Sequence, residues 1–423
     1  MQTMQRPASP GLDPAGLSRL FNRRVLSEHA GEAASLWTQR RRAVDAPQFK
    51  LVHLRRLDER VQAHLAGLRV AGEAGWRAAL ERADPDDAGA VFTISCLAFD
   101  GSVADRMRHA LALVMASPQG ADALCAAVGW LRPATAQGIV MRLLQSTVPG
   151  HRRLAAASLA ALRAPDAALL QTALGDADPG VRAPALRALG ASGAVQFADA
   201  ARQAMSGADP QCSFWGGWSL AVFGVEAAVP HTFDRGLREP ADSPLRRVAV
   251  EVAMRRAVPE WARRAIRELT AETGTRRLAV IAAAAHGDPV VVPWLIAQCD
   301  DPVLARVAGE AISTITGADL VYLDLQREPI EADVALPADD DALPDPDPSR
   351  LSAWWQAAQQ AFVGAGRYLG GQPVSAASAA EVLRSGFQRQ RAAAALELCR
   401  LAGPGGVFPT HARADRQARW LAP

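Results

Sequence analysis

One motif recurs along this chain at almost constant spacing, and a repeat of that length decides the architecture before any single residue does. The clearest copy spans residues 178–190: Pro179 follows an acidic turn, apolar residues recur at helical spacing, and Gly190 closes the segment. Similar segments begin near residues 150, 242, 274 and 301. Each contains a marker arginine, and the set is Arg153, Arg182, Arg247, Arg277 and Arg306.

The spacing of the marker arginines gives the length of the repeat. Successive steps are 29, 65, 30 and 29 residues, and the long step corresponds to two repeats. The missing copy lies at residues 212–224, which keep the closing glycine but have Trp215 and Gly216 in place of Val-Arg. A unit of this length is a helical hairpin that cannot bury its apolar face alone, so we expect neighbouring hairpins to stack.

These units resemble HEAT repeats of the short kind. The resemblance implies an all-α fold, an α-solenoid of HEAT-like helical hairpin repeats that covers residues 86–328. The abundance of Ala, Leu and Arg agrees with this, because these residues lose little freedom in a helix. Long runs of β-branched residues with period-two alternation are missing from the sequence, so we expect no sheet.

The regions outside the repeats differ in composition. Apolar residues from Leu54 to Leu68 share one helical face, which predicts helices that cap the array. Residues 330–348 carry seven acids and no base, and this proline-rich stretch predicts a mobile linker without a core. The predicted divisions are a disordered N-terminus (1–16), a helical N-terminal cap (17–85), the repeats (86–328), an acidic linker (329–349) and a C-terminal helical segment (350–423).

Charge, cysteine content and hydropathy argue against several classes of protein. The net charge of +2 is small for a dedicated nucleic-acid binder. The five cysteines are scattered without a Cys-x-x-Cys pair, which disfavours a disulfide framework and a zinc site. No apolar run reaches the length of a membrane span, and the N-terminus lacks the apolar core of a signal peptide. We therefore expect a cytoplasmic protein with no membrane partner.

A second resemblance covers nearly the full length. Residues 57–76 carry its most specific part, and it extends to Ala353-Trp354-Trp355, to Arg367-Tyr368-Leu369 and to residues 391–398. These segments resemble an uncharacterised bacterial family of HEAT-like repeat proteins found near type VI secretion genes. The resemblance implies a role associated with secretion, and that family offers no agreed catalytic residues to transfer.

The marker arginines form the first candidate site. A row of arginines on one surface could grip an acidic partner or phosphates, and we name Arg182, Arg247 and Arg277 as candidate partner-binding residues. The alternative is structural: each arginine would bond an aspartate near the turn of its own or an adjacent repeat. The candidate aspartates are Asp178, Asp209, Asp242 and Asp301. One arginine per repeat favours the structural interpretation.

An aromatic cluster in the degenerate repeat is the second candidate. Trp215 and Trp218 are three residues apart and share a helix face, and Phe214 lies beside them. Exposed tryptophan would be a good anchor for a partner, whereas buried tryptophan would fill the core of the repeat. The Gly216–Gly217 pair between them calls for close packing or a bound chain. The Trp354–Trp355 pair favours docking of the C-terminal segment onto the repeats.

Motifs for chemistry are missing from the sequence. The eight histidines, His64 among them, form no His-Glu-x-x-His pattern, and no phosphate loop, dinucleotide fingerprint or nucleophile elbow is present. We predict no catalytic residues, cofactor or metal. The leading hypothesis is a non-enzymatic scaffold, an adaptor or chaperone that binds another protein. The alternatives are an immunity protein against a co-encoded toxin and, more distantly, a HEAT-fold enzyme such as a bilin lyase or DNA-base glycosylase.

Overall fold

The fold is all-α, as the sequence predicts, and it is built from HEAT-like helical hairpins. A computed structural model describes residues 22–101, 103–328, 337–362, 366–403 and 405–422. Within these ranges there are 22 α-helices, five short 3-10 segments and one β-hairpin. The predicted disordered terminus, residues 1–16, lies outside the described residues. The chain divides into two compact units, residues 1–40 with 56–135 and residues 41–55 with 136–423.

Helices α4–α6 and most of α1–α3 belong to the first unit, while α1, α2 and α7 contain residues of both units. The bounds are α1 Arg23–Ala43, α2 Leu51–Val70, α3 Glu73–Leu80, α4 Ala88–Asp100, α5 Ala104–Met115, α6 Gly120–Trp130 and α7 Pro133–Leu144. Helix α4 is buried along almost its whole length. It is the centre of this unit.

The packing around α4 joins regions that the sequence analysis placed in different domains. Trp37 of α1 stacks on Phe92 of α4 with ring centroids 4.6 Å apart. Gly89 lets the two helices approach, because a Cβ there would lie 2.3 Å from the carbonyl oxygen of Ala34. A buried ion pair joins Arg40 Nε to Asp58 Oδ1 at 2.9 Å. Helices α1–α3 and the first hairpins therefore share one core, and no division falls at residue 85.

The second unit contains the repeats that the sequence marks most clearly. The helices are α8 Pro149–Leu159, α9 Ala167–Leu174, α10 Pro179–Ser192, α11 Ala198–Met205, α12 Pro210–Val222, α13 Ala228–Leu237, α14 Pro244–Arg256, α15 Pro259–Ala271, α16 Arg276–His286, α17 Val292–Gln298 and α18 Ala305–Thr316. Helices α8, α10, α12, α14, α16 and α18 pack one after the next, and we call them the central row. Each of α10–α18 in this row also packs against the helix that precedes it, which makes the hairpin.

Proline fixes where four of the six central-row helices begin. Pro149, Pro179, Pro210 and Pro244 each occupy the first turn, where the missing N–H costs nothing. With proline as the reference, Arg152 rather than Arg153 corresponds to Arg182. Both guanidinium groups donate to the carbonyls five and six residues before them. These arginines tie the first turn of a helix to the loop that leads into it.

The same register corrects the sequence alignment of the degenerate repeat. Pro210 is equivalent to Pro179, so Cys212 and Ser213 take the places of Val181 and Arg182, and Trp215 and Gly216 lie three residues further on. Ser213 donates its hydroxyl to the carbonyl of Met205 at 2.9 Å. A short hydroxyl that reaches the backbone therefore replaces the long guanidinium in this repeat.

The C-terminal segment is mostly helical, and it adds the small hairpin that the sequence does not predict. Its elements are α19 Pro348–Ala358, β1 Tyr368–Leu369, β2 Gln372–Pro373, α20 Ala376–Ser385, α21 Gln388–Leu401 and α22 Ala414–Trp420. The strands pair antiparallel through a turn of Gly370 and Gly371, whose φ angles of 60° and 81° suit a two-residue hairpin turn. Trp355 is buried in the core of the repeats with Tyr368, so the tryptophan pair docks this segment.

The C-terminal segment runs over the C-terminal ends of the central row. The last carbonyls of a helix have no partner within it and need donors from elsewhere. The N–H of Tyr368 donates to Gly287 at 2.7 Å, that of Gly370 to Thr314 at 2.7 Å, and that of Val407 to Ala191 at 2.9 Å. Carbonyls at the C-terminal ends of three central-row helices, α10, α16 and α18, therefore accept hydrogen bonds from residues far away in the chain.

Arg367 does the same with its side chain. Its guanidinium donates to the carbonyl oxygens of Arg255 at 3.1 Å, Ala285 at 3.2 Å and His286 at 2.6 Å, at the ends of α14 and α16. It also pairs with the buried carboxylate of Glu397. Burial lowers the pKa of the Arg367 guanidinium, and Glu397 opposes that effect.

The described part of the predicted linker, residues 337–349, is not a linker. Asp340 is only 1% exposed, and Leu343 beside it is also buried. The N–H of Asp347 donates to Leu325, and the N–H of Arg327 donates to Asp345, both at 2.9 Å. Arginines of the repeats supply the positive charge that neutralises this acidic stretch, so the stretch packs against the repeats. Residues 329–336 lie outside the described ranges.

Replacing Gly287 by alanine is expected to destabilise the second unit by about 1–3 kcal/mol. Gly287 has φ 77°, and a Cβ there would lie 2.5 Å from the carbonyl oxygen of Tyr368. The matched control is Gly274→Ala, because nothing lies within 4 Å of a Cβ at Gly274. Urea unfolding followed by circular dichroism measures both. Equal losses for the two variants would contradict the capping role of the β-hairpin.

Candidate functional site

The marker arginines of α16 and α18 hold the acidic segment. Arg277 forms two bonds to the carboxylate of Asp340, with Nη1 and Nη2 at 2.6 and 2.7 Å from its oxygens. Asp345 lies between two further guanidinium groups, 3.8 Å from Arg306 and 3.5 Å from Arg327. These arginines do grip an acidic peptide, and the peptide belongs to the same chain.

The remaining marker arginines also have partners nearby. Arg153 bonds Asp178 of the next repeat at 2.6 Å, and Arg247 bonds Glu251 at 2.9 Å within its own helix. The hydrogen bond from Arg153 is the main reason that the pKa of Asp178 lies below its usual value. Arg182 caps its own loop. The structural interpretation therefore fits these arginines, although most of their partners differ from those predicted.

Of the four predicted aspartate partners, only Asp178 pairs with a marker arginine. Asp209 accepts from the N–H of Cys212 at 2.8 Å and Asp301 from that of Val303 at 2.9 Å, so both act as caps of the following segment. Asp242 is exposed and takes no part in these pairs. Turn aspartates cap helices in this chain more than they bind arginine.

The aromatic cluster lies inside the second unit. Phe214 is fully buried, Trp215 is 9% exposed and Trp218 is 8% exposed. Their rings meet edge to face, with centroids 5.0 Å apart for Phe214 and Trp215 and 5.6 Å for Trp215 and Trp218. These side chains are largely buried and fill the core of the degenerate repeat, which is the structural alternative that the sequence left open.

Gly216 and Gly217 explain how α12 can be buried on every side. A Cβ at Gly216 would lie 2.7 Å from the carbonyl oxygen of Ala201 in α11. A Cβ at Gly217 would lie 2.9 Å from the side chains of His231 and Thr232 in α13. The glycine pair is therefore required for close helix packing, which is one of the two explanations that the sequence left open.

One edge of Trp215 still reaches the surface, where it lines a groove of about 340 Å³ between α10 and α12. We call it the Trp215 groove. The lining residues are Pro179, Gly180, Ala183, Pro184 and Arg187, with Asp209, Gln211 and Trp215. The guanidinium carbon of Arg187 lies 5.1 Å from the centroid of the Trp215 ring, within reach of a cation–π interaction. Arg187 lies within the repeat copy at residues 178–190 but away from its marker position, so the sequence alone does not single it out.

Burial shifts the pKa values of several cysteine and histidine side chains. Desolvation raises the pKa of the Cys212 thiol to about 11 and that of Cys299 to about 12. His64 lies on an amphipathic helix with its Nδ1 2.9 Å from that of His29, and desolvation followed by the repulsion from His29 lowers its pKa. Among the described residues, no group of three or more His, Cys, Asp or Glu side chains could hold a metal ion.

No family model matches the chain, and no curated protein matches its sequence significantly. Of the helices that the structure describes, none combines the length and the apolar character that a membrane crossing requires.

Arg277→Ala is expected to cost about 3–5 kcal/mol of unfolding free energy, because it leaves the buried carboxylate of Asp340 without its cation. Arg153→Ala is the matched control: its side chain is 59% exposed, and exposed pairs contribute roughly 0–1 kcal/mol. Adding Asp340→Asn to Arg277→Ala should recover part of the loss. The midpoints of urea unfolding test this order of stability losses. Equal losses of unfolding free energy for the two single variants would refute it.

The raised thiol pKa values predict slow cysteine chemistry in the folded protein. At pH 8 only about one Cys212 thiol in a thousand is ionised when the pKa is about 11, and burial slows the reaction further. Cys125 is half-buried and should give the fastest phase with Ellman's reagent. Cys125→Ser should remove that phase, and all remaining thiols should react after denaturation. Rapid modification of Cys212 or Cys299 in the native protein would contradict this.

Proposed function

We propose that this protein is a non-enzymatic scaffold that binds another protein, and that the Trp215 groove is where the partner is held. The observation that carries the proposal is the groove itself, an open cavity of about 340 Å³ with Trp215 as its fixed wall and Arg187 over the ring. Tryptophan and arginine are the residue types that contribute most to protein interfaces.

Rigidity supports this assignment. Trp215 is held by Phe214 and Trp218 at its edges, and the close contacts of Gly216 leave α12 little freedom to move. A side chain that is already fixed loses little entropy when a partner binds, so more of the contact energy appears as affinity. A partner would need to insert only one or two side chains between α10 and α12.

The charges of the central row argue for a protein partner over nucleic acid. Arg153, Arg247 and Arg277 each face a carboxylate, so the row does not offer the unneutralised basic stripe that phosphates require. A base-flipping glycosylase also needs an acid beside aromatics in such a groove. Asp209, the acid of the Trp215 groove, caps α12.

The identity of the partner rests on the resemblance to HEAT-like proteins encoded near type VI secretion genes. We propose an adaptor or chaperone role in the cytoplasm for a secretion component or effector. An immunity protein would use the same groove for a single toxin. The two roles differ in what the protein recovers from its host and in whether loss of the gene kills only in the presence of that toxin.

The experiment is affinity capture from the native host with the full chain and with two groove variants. Gln211→Trp places a bulky side chain in the groove from an exposed position, and Arg187→Ala removes its cation. Both should reduce recovery of the specific partner at least about tenfold. Arg264→Ala, at a 61% exposed side chain on α15, is the matched control and should leave recovery unchanged.

Two results would count against the proposal. If the chain recovers no specific protein, the scaffold role is wrong. If Gln211→Trp retains the partner at wild-type level, the groove is the wrong surface. Secretion components or effectors among the recovered proteins would support the adaptor role, and a single toxin would support immunity.

A further inference from the structure

A second surface of the same unit has the features of a docking site. A cavity of about 130 Å³ opens where the turn after α18, the acidic segment and the start of α21 meet. Its apolar walls include Leu320, Val321, Leu343, Pro344 and Phe387. Cofactor and drug-sized ligands occupy cavities of about 300–1,000 Å³, so this one is too small for them. It has the size of one branched aliphatic side chain.

The turn beside the cavity exposes three consecutive large hydrophobic residues. Val321 is 58% exposed, Tyr322 85% and Leu323 41%, and no other such run occurs in the described ranges. Isolated exposed hydrophobic residues are normal, whereas a contiguous group beside a cavity marks an interaction site. Val321 belongs to both the run and the cavity wall, so the two features form one surface.

The turn is held in place, so this exposure is a property of the folded chain. The N–H of Tyr322 donates to the Asp319 carboxylate at 3.1 Å, and that of Leu325 donates to Leu320 at 2.8 Å. Asp324 has a φ of 54°, unusual for a residue other than glycine. Arg350 fixes it by bonding its carbonyl at 2.9 Å and its carboxylate at 2.7 Å.

Acidic residues border the cavity. Asp319 lines it, Asp339 and Asp341 belong to the acidic segment that supplies part of its wall, and all three are exposed. The cations nearby are already engaged: Arg389 bonds Glu310 at 2.8 Å, and Arg247 bonds Glu251. The ammonium of Lys50 lies 4.7 Å from the centroid of the Phe387 ring. The exposed carboxylates of Asp319, Asp339 and Asp341 therefore lie in the segments that form the cavity.

We infer that this surface docks a basic segment of a partner protein, with one branched aliphatic side chain in the cavity and flanking lysine or arginine residues against Asp319, Asp339 and Asp341. Tyr322 and Leu323 extend the apolar contact. The inference rests on the proposed function, since both require a protein partner, but it uses a different surface and specifies the chemistry of the partner.

The test selects binders without assuming their sequence. A phage-displayed library of random 12-residue peptides is selected on the full chain, and the enriched peptides are synthesised and measured by fluorescence anisotropy. We expect them to contain Leu, Ile or Val flanked by Lys or Arg. Their affinity should fall at least about tenfold with Tyr322→Ser and at least severalfold with Asp341→Lys, and should weaken as salt rises.

Matched variants separate this surface from a general effect. Val290→Ser removes a 73% exposed hydrophobic residue elsewhere, and Asp242→Lys reverses an exposed charge elsewhere; neither should change binding. Peptides that are lost in Gln211→Trp but kept in Tyr322→Ser would support the Trp215 groove and overturn this inference. Acidic consensus sequences, or no enrichment at all, would overturn it as well.

Discussion

Four helices of the central row, α10, α14, α16 and α18, end with carbonyl groups that accept hydrogen bonds from a distant part of the chain. A helix that ends in the interior must find donors for them, and an unpaired carbonyl costs about 1–3 kcal/mol. Here the donors come from the C-terminal segment: the N–H groups of Tyr368, Gly370 and Val407 and the guanidinium of Arg367. The repeats and this segment therefore form one folding unit, although the acidic stretch separates them in sequence.

Glycines at the helix ends make that contact possible. Gly193, Gly287 and Gly317 have φ angles of 72°, 77° and 72°, which end α10, α16 and α18 in the left-handed conformation. At each of them a Cβ would also collide with the C-terminal segment, 2.4–2.7 Å from its backbone. A closing glycine thus has two functions in this protein. It ends the helix, and it leaves room for the backbone of the C-terminal segment that bonds the last carbonyls of that helix.

The buried charges follow from the same contact. Glu397 of α21 is 2% exposed, and Arg367 and Arg400 bond its carboxylate while Arg255 lies 3.9 Å away. A lone buried carboxylate would be costly, and several guanidinium groups offset that cost. This cluster fixes α21 over the row, so the ends of α14 and α16 and the carboxylate of α21 share the same arginine.

The sequence predicted the fold well because one periodicity runs through it. A proline in the first turn of α8, α10, α12 and α14 and a positive-φ glycine just after α10, α12, α16 and α18 mark the hairpins, and stacking follows from their apolar faces. It predicted the ion-pair partners of individual arginines and acids poorly. The composition of residues 330–348 indicates a linker when that stretch is considered alone, and only the structure reveals that Arg277 and Arg306 supply the missing charges. Pairings that join distant parts of a chain leave no local signal.

The candidate sites show the same contrast between local sequence patterns, which can be predicted, and long-range packing, which cannot. Phe214, Trp215 and Trp218 attract attention as a cluster of residue types, but whether they face solvent depends on how closely α11 and α13 approach, and Gly216 and Gly217 set that distance. The acidic segment meets Arg277 and Arg306 of the central row, whereas Trp215 and Arg187 line the open groove between α10 and α12. Acids of the chain therefore engage part of the row, and the rigid wall of the Trp215 groove is the accessible part that the proposed function assigns to a partner.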